Sequence, residues 1–459
     1  MQEKKKIIIN GAGLVGSLLG IYLKKRGHEV AIYERRPDMR LSGMAAGRSI
    51  NLALSDRGLK ALAKVGIADE IKKIAIPMHG RQIHNADGTE VFQPYGEDGQ
   101  YINSVSRSEL NMRLMDLAET NGIKINFNER CSTIDWQKNE VTYIHEDSGK
   151  NQTVSADIIF GADGAFSASR LQHQLQSDRF EYLQTYINCG YKELTIPANS
   201  ENEYAMKVNA LHIWPRKEYM LIALPNTDKS FTCTLFFPFE GSHSFDALKT
   251  KDDVNTFFNK HFTDAVKLMP TLTDDFFNNP TSSLVTIKCF PWVRDHSFAL
   301  IGDAAHAMVP FFGQGMNCGF EDCSVLDEIM EKSGDDWDKI FAEYQSVRKP
   351  DGDAIADLAV ENFIEMRAKT ADPKFLMQKK LEAKLHEKFP EKWIPAYSLV
   401  TFSPDVRYSV AKKRGMLQEN IMQEVMSIPG IEQKWDSLEM EHLIMEKWSL
   451  LKASLLNEE

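Results

Sequence analysis

The 459-residue sequence predicts an α/β fold in three parts. A parallel βαβ core is assembled from separate segments, a mostly antiparallel sheet is inserted into it, and a helical region closes the chain. Three observations predict this. A glycine-rich turn joins an apolar strand to a helix at the N-terminus. Two later apolar strands, far apart in the chain, each run straight into an Asp/Gly turn. Elsewhere the hydrophobic period changes, first to short aromatic and β-branched runs, then from about residue 355 to helical spacing with few breakers.

The N-terminal stretch "KKIIINGAGLVGSLLGIYLKKRGHEVAIYER" reads as strand, turn, helix, strand. Gly11, Gly13 and Gly16 fill the glycine positions of GxGxxG. The first permits a tight turn, the second lets the backbone approach a pyrophosphate, and the third allows close helix packing. Free N–H groups and the dipole of the helix start favour phosphates. Glu34, ending the second strand, is placed to accept hydrogen bonds from ribose hydroxyls. A Rossmann-like dinucleotide site follows, with NAD(P) and FAD both open on this motif alone.

Two later stretches bear on that choice. "ADIIFGADGAFSASR" carries Asp163-Gly164 and then Arg170, and "SFALIGDAAH" runs into Gly302-Asp303. A nicotinamide dehydrogenase has no need of these added acidic turns. "SVSRSELNMRL" places Arg107 at a helix start. "GDAAHAMVPFFGQGMN" neither alternates like a strand nor repeats like one helix. It crosses Pro310, Phe311, Phe312 and Gly313 before Gly315, Met316 and Asn317 open another helix. In "GRSINLALSDRGLKAL" a short strand leads to a helix that Ser55 is positioned to cap.

Composition narrows the classes. A net charge of −11 argues against general nucleic-acid binding. Six cysteines without CxxC or zinc spacing read as reduced thiols, mostly core residues, in a cytoplasmic protein. No metal site is expected. No segment offers the ~18 apolar residues of a membrane span, and "EHLIMEKWSLLKASLL" reads as a helix packed on the body. The sequence leaves a homodimer open.

The ordered set GxGxxG, DG, GD resembles the p-hydroxybenzoate hydroxylase-like FAD-dependent aromatic hydroxylases. The resemblance implies a discontinuous FAD-binding domain (1–75, 100–175, 283–360), an inserted substrate sheet (76–99, 176–282) and a helical C-terminal region (361–459). It implies that Asp303 contacts the ribityl chain, that Asp163 lies near the pyrophosphate, and that Arg107 reaches the FAD phosphates. Gly315, Met316 and Asn317 would turn a positive helix end toward the flavin pyrimidine. Pro310, Phe311, Phe312 and Gly313 would form an apolar wall between flavin and substrate.

Within that family, "GRQIHNADGTEVFQPYG", "VPFFGQGMNCGFEDC", "DLAVENFIEMR" and "YSLVTFSPDVRYS" resemble the soluble, bacterial members that hydroxylate L-kynurenine. The implied reaction uses NADPH, a transient co-substrate, and dioxygen, through a flavin hydroperoxide; the chemistry is the flavin's and no catalytic side chain is certain. Arg81, on an alternating strand, matches the arginine that pairs with the substrate carboxylate. Tyr95, Asn362 and Tyr397 match further polar partners. Met366 shares a helix face with Asn362, and Phe236 lines the ring pocket unless Phe237 takes that place. His306, in "DAAHAM", reads more readily as structural than as a base. Two other readings stay open: a flavin hydroxylase for another aromatic acid or amine, and a flavin-binding sensor without turnover.

Overall fold

The computed structural model describes residues 3–41, 50–96, 99–368 and 373–455, with side chains placed for all of these but 366–368, 373 and 452–455. A six-stranded sheet forms the first core. Its order is Val293–Arg294, Phe298–Leu300, Ile158–Gly161, Lys6–Asn10, Glu29–Tyr33, Lys124–Asn126. All pairings are parallel except that of the first two strands. Ile7, Ile8 and Ile9 are fully buried, as expected of a strand covered on both faces.

Register does the positioning. Asn10 pairs with Gly161, and Gly161 with Leu300. The turns that follow these three residues carry Gly11, Asp163 and Gly302-Asp303. The parallel sheet therefore delivers the three motifs side by side at its carboxyl edge, where ligands of such sheets bind.

The second layer is a seven-stranded sheet, in the order Ser282–Phe290, Glu181–Ile196, Phe231–Phe237, Tyr219–Pro225, Leu211–Arg216, Gly80–His84, Glu90–Pro94. It is antiparallel except between Leu211–Arg216 and Gly80–His84. One face packs on the helices Lys251–His261 and Leu272–Asn278, burying Trp214, Phe237 and Phe258. The other face looks toward the 310–312 turn, through Phe236, Ile222 and Leu224.

The structure draws three element boundaries differently from the sequence. Ser282–Phe290 does not rejoin the parallel core at 283 but forms the edge of the large sheet, paired with Glu181–Ile196. No breaker interrupts it before Pro291, so pairing continues. Ala75–Met78 joins a small sheet with Ile102–Ser106 and Asn51–Leu54, and only 80–94 of the 76–99 segment lies on the large sheet. The expected division at 360–361 falls inside one helix, Trp337–Ala368, which runs through Pro350.

The helices Pro373–Lys388, Ala396–Phe402, Tyr408–Met426 and Leu438–Leu455 complete the chain. Met440, Ile444 and Trp448 are buried against Trp393 and Met422, so the last helix packs on the body. Among the described residues no helix is long and apolar enough to cross a membrane. All six cysteines are free and buried.

Candidate active site

The glycine turn divides its work. At Gly11, with φ of +106°, a Cβ would stand 2.5 Å from the Ala162 carbonyl oxygen; at Gly16 it would stand 2.0 Å from that of Gly11. These two glycines are required by the protein itself. At Gly13 a Cβ would meet nothing within 4 Å, and its backbone is extended (φ −73°, ψ −177°), so any residue could adopt it. The space beside Gly13 is left for a ligand, at the start of the helix Leu14–Lys25. That open cradle, with unpaired N–H donors at a helix N-terminus, fits a dinucleotide pyrophosphate.

Glu34 is buried and already engaged. One oxygen accepts the Ala12 N–H at 2.9 Å; the other accepts the backbone and side chain of Arg36 at 3.0 and 3.1 Å. Both oxygens thereby fix the turn. Asp163 likewise has a local task. It accepts hydrogen bonds from the Ser167 hydroxyl and from Ser169 N–H and Oγ, at 2.9 and 3.1 Å for Ser169, at the start of the helix Ala168–Leu175. Burial pushes its carboxyl pKa up, and those hydrogen bonds pull against it. Arg170 reaches across to the Ala304 carbonyl at 2.8 Å, tying the DG turn to the GD turn. Asp303 is half-buried at the start of the short helix Asp303–His306. Among the described residues none donates to its carboxylate, which stays open to a ligand. Arg107 opens the helix Arg107–Thr120 with an exposed side chain.

After this comes the apolar turn. Pro310–Phe312 forms one 3₁₀ turn closed by Gly313 in the left-handed region, φ +69°. The helix Gly315–Ser333 starts with no side-chain cap, so the N–H groups of its first residues, Gly315, Met316 and Asn317, remain as donors. The Asn317 side chain is not one of them. Its amide donates to Ala53 and Gly313 carbonyls at 2.8 and 3.0 Å, and its oxygen accepts the Ser55 N–H at 2.9 Å. Asn317 thus rivets this helix to the strand Asn51–Leu54. Ser55 does hold the N-cap position of the helix Asp56–Lys64, but its hydroxyl caps nothing.

Across the turn lies Arg81. Its guanidinium carbon stands 4.5 Å from the Tyr397 ring centre and 5.5 Å from that of Tyr95. Burial opposes its charge, but the two tyrosine hydroxyls more than offset this and its pKa lies above the usual arginine value. Burial also raises the Tyr95 hydroxyl pKa, Tyr397 adds to this, and Arg81 opposes it. The charge is therefore permanent, and it is set among aromatic rings, with Tyr95 and Tyr397 beside it. Phe312 stacks on Tyr397 at 5.4 Å, Phe311 meets Phe236 at 5.0 Å and Phe363 at 4.4 Å. Phe236 therefore faces the turn, while Phe237 packs on the opposite face of the sheet among Phe245 and Phe257. Asn362 donates to the Phe311 carbonyl at 2.7 Å, bracing the wall. The side chain of Met366 lies outside the described residues.

Residues 4–359 match a family model described as an FAD binding domain. The chain is 51% identical over 452 residues to the kynurenine 3-monooxygenase of Christiangramia forsetii, covering 98% of this chain and 100% of that one. It is 52% identical over 447 residues to the enzyme of the same name from Flavobacterium johnsoniae, covering 97% and 99%. The chain belongs to the kynurenine 3-monooxygenase family. As a family member it is an FAD-dependent monooxygenase. The relative from Sus scrofa is 43% identical over 431 residues, covering 93% of this chain and 90% of that one. Two solved structures share the fold at lower identity. A 2-methyl-3-hydroxypyridine-5-carboxylic acid oxygenase gives a TM-score of 0.62 at 20% identity, covering 83% of this chain and 96% of that one. A probable FAD-dependent monooxygenase from Pseudomonas aeruginosa gives 0.64 at 17%, covering 80% and 97%.

In this family member His306 is tied into a buried ionic network. It is fully buried, with Nε2 2.6 Å from Asp322 Oδ2, and that oxygen also accepts the Gly302 N–H at 3.1 Å. Burial works against the His306 charge, but Asp322 and Cys318 overcome it and its pKa is held well above the ordinary value; that of Asp322 is held below its own. Cys318 lies 3.9 Å from His306 Nδ1, so His306, Cys318 and Asp322 come together as metal-type ligands do. The cation that serves them is Arg348, 2.7 Å from Asp322 Oδ1. Sequence reasoning missed Arg348, Glu321, Asp322 and Arg57, which form this buried ionic network. The available signal was a charged pair, Glu321-Asp322, set inside the apolar helix "GMNCGFEDCSVL".

Proposed function

We propose that this chain hydroxylates L-kynurenine ortho to its aniline nitrogen, giving 3-hydroxykynurenine, with NADPH, a proton and dioxygen consumed and NADP⁺ and water released. The observation that carries this reading is the Arg81 cage. One permanent cation, flanked by Tyr95 and Tyr397, stands at the end of a chamber walled by Phe236, Phe311 and Phe312.

Bound FAD, reduced by NADPH, supplies the activated oxygen. The cradle at Gly11, Gly13 and Gly16, the carboxylates of Glu34 and Asp303, the backbone near Asp163, and Arg107 would hold it. The N–H groups of Gly315, Met316 and Asn317, at an uncapped helix start, would favour negative charge on the group held beside them.

Arg81 takes the amino-acid carboxylate with its planar fork. The hydroxyls of Tyr95 and Tyr397 add hydrogen bonds there. The aromatic ring then extends toward Phe236 and the 310–313 turn, which exclude water from the site of oxygen transfer. Asn362 keeps that wall in place through Phe311. No side-chain base is needed, because the aniline nitrogen already activates the ring. The six buried free thiols suit a reducing, cytoplasmic compartment. Chromatography of products formed from kynurenine, NADPH and oxygen tests the reading: it expects 3-hydroxykynurenine, and NADPH oxidation without hydroxylated product would overturn it.

A further inference from the structure

We infer that Arg57 is a positioning residue for substrate binding: it clamps the short helix that carries Tyr397 to the cofactor side of the molecule. This rests on the kynurenine reading above, because it assigns Tyr397 to the substrate carboxylate.

The helix Ala396–Phe402 has seven residues and no side-chain cap at its start. Helices this short do not persist on their own, and their last carbonyls need partners. Arg57, in the first turn of the helix Asp56–Lys64, supplies them from a fully buried side chain. Its Nε donates to the Val400 carbonyl at 2.6 Å. Its Nη2 donates to the carbonyls of Leu399 at 3.2 Å and Ser403 at 3.1 Å, and also to that of Val406. The guanidinium lies 4.1 Å from the Tyr408 ring centre. One side chain therefore gathers four carbonyls from the end of the Tyr397 helix and the connection after it.

The remaining arm of Arg57 fixes this assembly to the flavin side. Its Nη1 donates to Glu321 Oε1 at 2.7 Å, and the other Glu321 oxygen accepts from Arg348 Nη1 at 2.7 Å. Glu321 belongs to the helix Gly315–Ser333, which begins directly after the Pro310–Phe312 turn. Arg348 also binds Asp322, which holds the Gly302 N–H. Tyr397, the apolar turn and the GD turn are thereby referenced to one buried frame. If the clamp loosens, the Tyr397 ring loses its register with Arg81 and Phe312, while the glycine cradle is untouched.

The test is Arg57→Lys in the holoenzyme. Lysine keeps the charge but offers a single ammonium, which cannot span four carbonyls and Glu321 together. The KM for kynurenine should rise roughly tenfold, the ratio for one hydrogen bond to a charged group. The KM for NADPH and the FAD content should stay at wild-type values, and the share of NADPH diverted to hydrogen peroxide should rise. Amide hydrogen exchange should quicken in 396–406 and stay unchanged in the first turns of Gly315–Ser333. A variant with wild-type KM for kynurenine and unchanged exchange in 396–406 would overturn the inference, as would equal loss of FAD, NADPH and kynurenine affinity. Should Arg57→Lys fail to fold, Arg57→Gln, which leaves Glu321 bound to Arg348 but cannot reach all the carbonyls, is read by the same two measurements. Wild-type enzyme that makes no 3-hydroxykynurenine would defeat the proposed function instead, and the exchange data would still decide the clamp.

Discussion

Arg81→Ala should lower kcat/KM for kynurenine by roughly a hundredfold. A fork that donates two hydrogen bonds to a carboxylate contributes about 1.5 kcal/mol for each, or about 3 kcal/mol in all. At about 1.4 kcal/mol per factor of ten, that is a little over two decades. The geometry supports the full value, because the charge sits between Tyr95 and Tyr397 and no described carboxylate pairs with it. Arg81→Lys keeps the charge without the fork and should fall between, at roughly tenfold. Both variants should retain FAD, since Arg81 lies on the large sheet and makes no contact with the glycine cradle. Steady-state product formation across kynurenine concentrations gives kcat/KM, and flavin absorbance of the purified protein gives occupancy. An Arg81→Ala enzyme with wild-type kcat/KM and full FAD content would refute the carboxylate assignment and the reasoning behind it.

Three further outcomes are expected. Gly13→Val should weaken FAD binding at least tenfold while leaving the melting temperature of the apoprotein unchanged, because its side chain enters ligand space; Gly16→Ala should lower that melting temperature itself, since its Cβ meets the Gly11 carbonyl at 2.0 Å. Flavin titration and apoprotein melts separate the two. Phe312→Ala opens the wall beside Tyr397 and should raise the hydrogen peroxide formed per NADPH, measured by a peroxidase-coupled assay. His306→Gln should lose stability in a pH-dependent way. The folded pKa of His306 is raised, so its contribution is full below the unfolded value of ~6.5 and fades as pH rises through the folded value. The depressed Asp322 carboxyl loses its contribution only as pH falls through its folded value, below the unfolded ~3.9. The gap in melting temperature between wild type and His306→Gln should therefore be widest in mildly acidic solution and shrink in alkali; a gap that grows with pH would contradict the pairing.

What was legible in the sequence was local. The glycine turn, the strands around Arg81 and Phe236 and the terminal helices each carry their signal within one stretch of chain. The meeting of Gly11, Asp163 and Gly302 depends on strand register, which motif order only hinted at. Alternation says that Phe236 and Phe237 face opposite ways; only the helices on one face decide which of them meets Phe311. The layer of Ser282–Phe290 is not legible, because an uninterrupted strand does not announce its partner. Pro350, in "VRKPDGDA", looks like a helix stop, yet the helix Trp337–Ala368 passes through it, with Arg348 and Asp351 held on either side by the buried network. Arg57 left no pattern at all. Its partners are backbone carbonyls more than 340 residues away, and a carbonyl has no sequence signature. Asn317 does open its helix, but nothing in its own stretch of chain announces that its side chain ties that helix to Ala53 and Ser55, more than 260 residues away.

The most direct measurement is a single-turnover mixing of oxygen with the NADPH-reduced holoenzyme in the presence of kynurenine, followed by separation of the aromatic products. 3-Hydroxykynurenine is expected in near-stoichiometric yield, with the yield collapsing toward hydrogen peroxide in Phe312→Ala. Reoxidation that yields hydrogen peroxide and unchanged kynurenine in the wild type would contradict the proposed function.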